Sequence, residues 1–153
     1  MTKEEVKDER KAVEGDETMR RKMIAKGMSR IVQKLKTSVP KADVVLITDI
    51  HGDHLDKANL AKVRKAGTTV IIPGAASSEV PDGTVMKNGE TKKIGAWTIE
   101  AIPMYNLKRG PSPGKLYHDK GRGNGYIVTY GGLRIYLAGD TEGIPEMRAL
   151  KNI

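Results

Sequence analysis

Residues 48–56 read TDIHGDHLD and gather two of the chain's three histidines, His51 and His54, around Asp53. Imidazole nitrogens and carboxylate oxygens at this density suit a divalent transition metal such as Zn, Mn or Fe. The stretch follows the apolar run ADVVLI, so its polar groups would stand at the end of a buried strand, where α/β proteins commonly hold ligands. Asp140, in LAGDT, also follows an apolar strand pattern, and the two strand ends could converge on one pocket. Cysteine is absent, so disulfides and thiolate metal sites are excluded and any transition metal must be held by His, Asp or Glu. The third histidine, His118, lies in a polar loop where nothing local demands a metal. A lone GDT after a strand is an ordinary turn. The H-x-D-H cluster is the more specific signal.

The elements that must position these groups change character near Pro40. Before it, TKEE at 2–5 reads as a capping box that opens a short charged helix, interrupted near EGD at 14–16. From Glu17 to Lys36, Ile24, Met28, Ile31, Val32 and Leu35 fall at helical spacing and predict a helix with one apolar stripe, weakened at Gly27. Beyond Pro40, DVVLIT (43–48) predicts a strand covered on both faces, and DKANLAKVRKAG predicts a helix with Asp56 at its start and Gly67 after its end. TTVIIP is a second buried strand. Further strands are expected at 84–87, 91–94 and 96–102, then a hairpin, GYIVTY-GG-LRIYLAG, turning at Gly131-Gly132. A last helix is expected over 144–150. Between strands, 105–125 forms a long Gly-, Pro- and Lys/Arg-rich loop of the kind that is usually functional or disordered. Its GRGNG precedes a strand instead of opening a helix, so its glycines read as turn residues and not as a phosphate cradle. A βαβ unit followed by antiparallel strands indicates a layered α/β fold.

Composition sets the outer limits. The 153 residues suffice for one domain with a two-layer core, built from Val, Ile, Leu and Met because Phe is absent and aromatics make up 4%. Mean hydropathy is −0.46, no apolar run approaches a membrane span, and MTKEEVKDERK lacks the apolar stretch of a signal peptide, so the cytoplasm is the expected location. The net charge of +8 favours anionic partners, but Lys and Arg are dispersed among acids, which speaks against nucleic acid as the main ligand.

TDIHGDHLD resembles the T-H-x-H-x-D-H signature of the metallo-β-lactamase fold superfamily. GETKKIGAWTIEAIPMYN and GRGNGYIVTYGGLRIYLAGDTEGIPEMRALKNI resemble its metal-dependent hydrolases related to ascorbate-6-phosphate lactonase. The likeness runs in order from about Ala42 to Ile153. It implies an αββα sandwich with one or two metals at the sheet edges, and hydrolysis of an ester, lactone or phosphoester by a metal-bound hydroxide. By the same resemblance His51 would bind the first metal, Asp53 and His54 the second, and Asp140 would bridge them, with Asp53 and Asp140 closest to catalysis. The family's YN…HPKG.G.GY pattern sets His118 on the first metal.

Three features depart from the family pattern. Asp49 stands where the signature has its first histidine; a carboxylate can still ligate, but shifts preference from Zn toward Mn or Fe. No histidine follows His118, and the helical segment precedes the signature where the family has strands. The resulting expectation is a helical segment, 1–40, and a metallo-β-lactamase-like domain, 41–153, incomplete at its C-terminal side. Asp49, His51 and His118 would form one site and Asp53, His54 and Asp140 the other, taking a small substrate that Lys108, Arg109 and Lys115 could attract if it is anionic. A non-catalytic metal-binding remnant that self-associates is the alternative, and a basic interaction module acting through 17–36 is a third reading. Exposed strand edges make a homo-oligomer the expected state.

Overall fold

The computed structural model describes residues 42–153, together with Arg21, Lys22, Ala25, Lys26 and Ser29. Those five are helical and exposed, inside the helix expected over 17–36. The apolar stripe of that helix and the capping box at 2–5 lie outside the described residues.

The apolar run after Pro40 forms β1 (Ala42–Leu46), which pairs in parallel with β2 (Arg64–Ile72); β2 pairs in parallel with β3 (Thr84–Val85). Parallel neighbours need a crossover, and α1 (Lys57–Val63) lies within it. Asp56 caps α1, its Oδ1 accepting the Asn59 N–H at 3.0 Å. The helix ends four residues before the expected stop at Gly67, and Arg64 to Gly67 open β2 instead. Tertiary pairing outweighs helix propensity here. Arg64 pairs with Ala42, after which the register jumps so that Val44 meets Thr69. Thr68 closes the bulge, its Oγ1 accepting Lys65 N–H at 2.9 Å and donating to Ala42 O at 2.7 Å.

The second sheet is antiparallel and runs in chain order: β4 (Thr91–Ile94), β5 (Trp97–Met104), β6 (Gly123–Tyr130) and β7 (Leu133–Leu137). Gly131 and Gly132 turn between β6 and β7 with φ of 56° and 83°, the two positive values that a type I′ hairpin needs. β3 is shorter than expected, and the last helix is a single turn, α2 (Pro145–Arg148).

Alternation along β1 and β2 feeds two cores. Val45, Ile47, Val70 and Ile72 face α1 and pack with Leu60, Ala76 and Val80. Val44, Leu46 and Ile71 face the second sheet and meet Met86, Ile99, Ala101 and Tyr126. The order helix, sheet, sheet is the α/β layering expected from the sequence, with β1 and β2 covered on both faces. Among the described residues no helix is long and apolar enough to cross a membrane.

Candidate metal centre

Three tethers bring the polar groups to one end of the sheets. The loop after β1 is held from β6: Tyr126 donates its hydroxyl to Ile47 O at 2.7 Å, and the Asn124 N–H donates to Thr48 O at 2.9 Å. Within the loop, His51 O accepts the N–H groups of His54 and Leu55, folding HGDH into a turn. After β7, Gly139 has φ of 63°, and a side chain there would collide with the Met104 sulfur. This close approach lets the Asp140 N–H reach Met104 Sδ at 3.2 Å, while Thr141 Oγ1 donates to Tyr105 O at 3.0 Å. The long loop after β5 is closed at its base by Asn106, whose N–H donates to His118 O at 2.9 Å.

His54, His118 and Asp140 offer donor atoms that all lie within 4.8 Å of one another. His54 Nδ1 is 2.6 Å from Thr48 Oγ1. Its Nε2 is buried without a hydrogen-bond partner, 3.3 Å from Asp140 Oδ2 and 3.6 Å from Asp53 Oδ2. His118 Nε2 is 3.9 Å from the same Asp140 oxygen. Burial lowers the His118 pKa, against the attraction of Asp49, and favours the neutral ring that a metal requires. An unpartnered buried imidazole nitrogen facing carboxylates is costly by itself and is satisfied by a divalent cation. This cluster fits a metal.

Asp49, His51 and His118 form a second group within the same spacing, so His118 is in reach of both. Asp49 is fully buried. Its Oδ2 lies 3.1 Å from His51 Nδ1 and 3.4 Å from His118 Nε2. The sequence reading missed Arg122, assigning a role only to the glycines of GRGNG around it. Its Nε and Nη2 grip Asp49 Oδ1 and Oδ2 at 3.0 and 2.6 Å, and Nη2 also lies 2.9 Å from His51 Nε2. Burial works to raise the Asp49 pKa, but the Arg122 hydrogen bonds, the Ile50 N–H and the guanidinium charge outweigh it and hold the carboxyl below its ordinary value. An acid in place of the signature's first histidine was the one available hint that a counter-cation lay nearby.

The structure thus gathers Asp49, His51, His54, His118 and Asp140, with Asp53 at the exposed rim. Lys108, Arg109 and Lys115 are exposed on the loop. That loop is clamped by Glu142, which was also missed: its Oε1 accepts the Arg109 N–H at 2.7 Å and the Lys108 N–H at 3.3 Å. These bonds, Arg109 first, keep the Glu142 carboxyl below its usual range.

Residues 16–153 match the family model of the Beta-lactamase superfamily domain. Among curated proteins, a UPF0173 metal-dependent hydrolase of Thermococcus kodakarensis is 29% identical, over 70% of this chain and 47% of its own length. One from Thermococcus onnurineus is 30% identical, over 74% and 50%. A solved structure from Parabacteroides distasonis, provisionally described as a metal-dependent hydrolase, is 47% identical with a TM-score of 0.69, covering 77% of this chain and 53% of that one. The diiron β-hydroxylase CmlA of Streptomyces venezuelae, at 21% identity and a TM-score of 0.52, shares the fold alone. The chain spans about half the length of the curated relatives it matches.

Proposed function

The chain belongs to the beta-lactamase superfamily domain family, and from that membership we propose that it is a metal-dependent hydrolase of a small ester, lactone or phosphoester. The observation that carries the reading is the buried, unpartnered Nε2 of His54, 3.3 Å from Asp140 Oδ2. His54, His118 and Asp140 would hold the cation, with Asp53 at the rim; Zn is the first candidate, and Mn or Fe are the alternatives that carboxylate ligands favour. When bound, such a cation supplies Lewis acidity, polarising a carbonyl or phosphoryl oxygen and lowering the pKa of water toward ~7.

The chain's own residues prepare this centre. Thr48 orients the His54 ring, and Asn106 orients His118 by accepting from its Nδ1 at 2.8 Å. Asp140 is half-exposed, so its outer side is open to an entering substrate. The net charge of +8 and the lysine-rich loop favour an anionic one.

A second reading, a non-catalytic metal-binding remnant that self-associates, is favoured by Asp49, which is bound to Arg122 where the family's signature has its first histidine. Metal content and turnover decide between the two. Purified protein should retain a divalent metal through dialysis and hydrolyse activated esters, lactones or phosphodiesters weakly, faster with added Zn or Mn. Asp140→Ala should abolish the hydrolysis. Bound metal without turnover on all three substrate types would leave the remnant reading. Turnover that survived both chelation and Asp140→Ala would place the chemistry elsewhere.

A further inference from the structure

The hydrogen bonds around His51 have a polarity that is fixed from both ends. Arg122 Nη2 lies 2.9 Å from His51 Nε2 and 3.5 Å from His51 Nδ1, so the guanidinium stands beside the ring and off the outward lone pair of Nε2. His51 Nδ1 faces His118 Nε2 and Asp49 Oδ2, each at 3.1 Å, and the ionised Asp49 oxygen only accepts, so a neutral His51 carries its proton on Nδ1. At the other end, Asn106 Oδ1 accepts the His118 backbone N–H at 3.0 Å, which identifies it as the amide oxygen. His118 Nδ1, 2.8 Å from that oxygen, is therefore a donor, and His118 Nε2 is the acceptor. The bonds run in one direction, from His51 through His118 to Asn106, and the Arg122 guanidinium stands beside the His51 ring, 3.5 Å from Nδ1.

This polarity decides what the Asp49 cluster can hold. A cation among Asp49, His51 and His118 would need the lone pair of His51 Nδ1, the atom that carries the proton. Moving the proton to Nε2 would leave the Nδ1 lone pair facing two acceptors, Asp49 Oδ2 and His118 Nε2, each at 3.1 Å. Arg122 Nη2 donates to Asp49 Oδ2 at 2.6 Å and stands 3.5 Å from His51 Nδ1, so a cation at those two atoms would meet the guanidinium charge. Asp49 is also neutralised within the protein, taking Arg122 Nε on its other oxygen at 3.0 Å. With Arg122 seated, the Asp49 cluster does not fit a divalent cation, whereas the His54 cluster does.

We infer that Arg122 takes the place of a cation beside Asp49 and His51, so that the chain holds a single divalent ion, at His54, His118 and Asp140. The inference rests on the metal-centre reading of that second cluster. It makes His51 a positioning residue and not a ligand. When His118 Nε2 turns to the ion, the His51 Nδ1–H keeps Asp49 Oδ2 as its acceptor at 3.1 Å. The guanidinium is a fixed charge that neither pH nor chelators remove.

The test uses full-length protein stripped with a chelator, then dialysed against Zn(II) or Co(II) and measured for metal per chain. Long-range ¹H–¹⁵N NMR of the metal-free protein reports the His51 tautomer independently. Wild type should hold one ion per chain and show His51 protonated on Nδ1. Arg122→Met should rise to two ions. Because that change leaves Asp49 buried without a partner, the double variant Asp49→His/Arg122→Met gives the same reading if the single one fails to fold. Two ions in wild type, a His51 proton on Nε2, or a count that stays at one in the folded variants would each overturn the inference and leave the metal-centre reading standing. A wild type that takes up no ion would sink the metal-centre reading, and the single-ion inference with it.

Discussion

Asp49 has no solvent exposure, so the charge it carries must be balanced inside the protein, and Arg122 does this through two hydrogen bonds. Breaking a buried pair by removing one partner costs about 3–5 kcal/mol, and Asp49→Asn should approach that range in denaturant unfolding at neutral pH. The pH dependence follows from the direction of each shift. The folded Asp49 pKa lies below its ordinary value of 3.8, so its stabilising contribution is complete above 3.8 and is lost as pH falls through the folded value. His118 has the same sign: burial lowers its folded pKa from 6.5, so acid costs stability from about 6.5 downward as the unfolded ring takes up a proton more readily. Unfolding free energies measured across a pH series should fall in both windows. Asp49→Asn should flatten the lower window and His118→Asn the upper one. A variant whose acid profile ran parallel to wild type would show that its residue does not carry that step.

Elements, and not the polar loops alone, hold the site, and two tyrosines on adjacent strands separate the effects. The Tyr126 hydroxyl on β6 donates to Ile47 O at the end of β1, and burial pushes its pKa up to about 12, so it remains a donor. Tyr126→Phe leaves that carbonyl without its donor and should cost about 1–2 kcal/mol. It should also weaken metal retention, because the loop bearing His51 and His54 starts there. The Tyr136 hydroxyl on β7 is buried with no partner, so Tyr136→Phe should be neutral or slightly stabilising. Equal losses for the two in urea unfolding would refute the tether. At this scale much was legible in the sequence. The strand before HGDH, the Asp56 cap and the Gly131-Gly132 turn are each written in a few adjacent residues. The end of α1 was not, because Arg64 leaves the helix for a pairing with Ala42 that only the closed sheet provides. Arg122 was hidden for the same reason. It lies 73 residues from Asp49, and its meaning appears only when β6 packs over the end of β1.

At the scale of the β-sheet domain, residues 42–153, the two sheets are unequal, three strands against four. Leu133, Ile135 and Leu137 share one face of β7, and through the pairs Val128↔Ile135 and Tyr126↔Leu137 it is the face that is buried on β6. On β7 it is bare: the three side chains are 64%, 48% and 42% exposed. β1 and β7 are also the last strands of their sheets, with Val44, Leu46, Trp97, Val128 and Leu137 walling an apolar groove between them. Exposed apolar edges of this kind invite pairing with another chain. We therefore expect self-association through β7. Burying a half-exposed aliphatic side chain contributes about 1 kcal/mol, and association itself carries a large entropic cost, so the dimer should be weak. The charge of +8 on each copy opposes the encounter, and salt screens that repulsion without weakening apolar contact. Sedimentation velocity should accordingly show more dimer at higher salt. Ile135→Lys should return the protein to a monomer with little loss of stability, because the side chain is already half in water. A wild type that stayed monomeric at millimolar concentration in high salt, or an Ile135→Lys variant that dimerised as before, would rule β7 out as the contact.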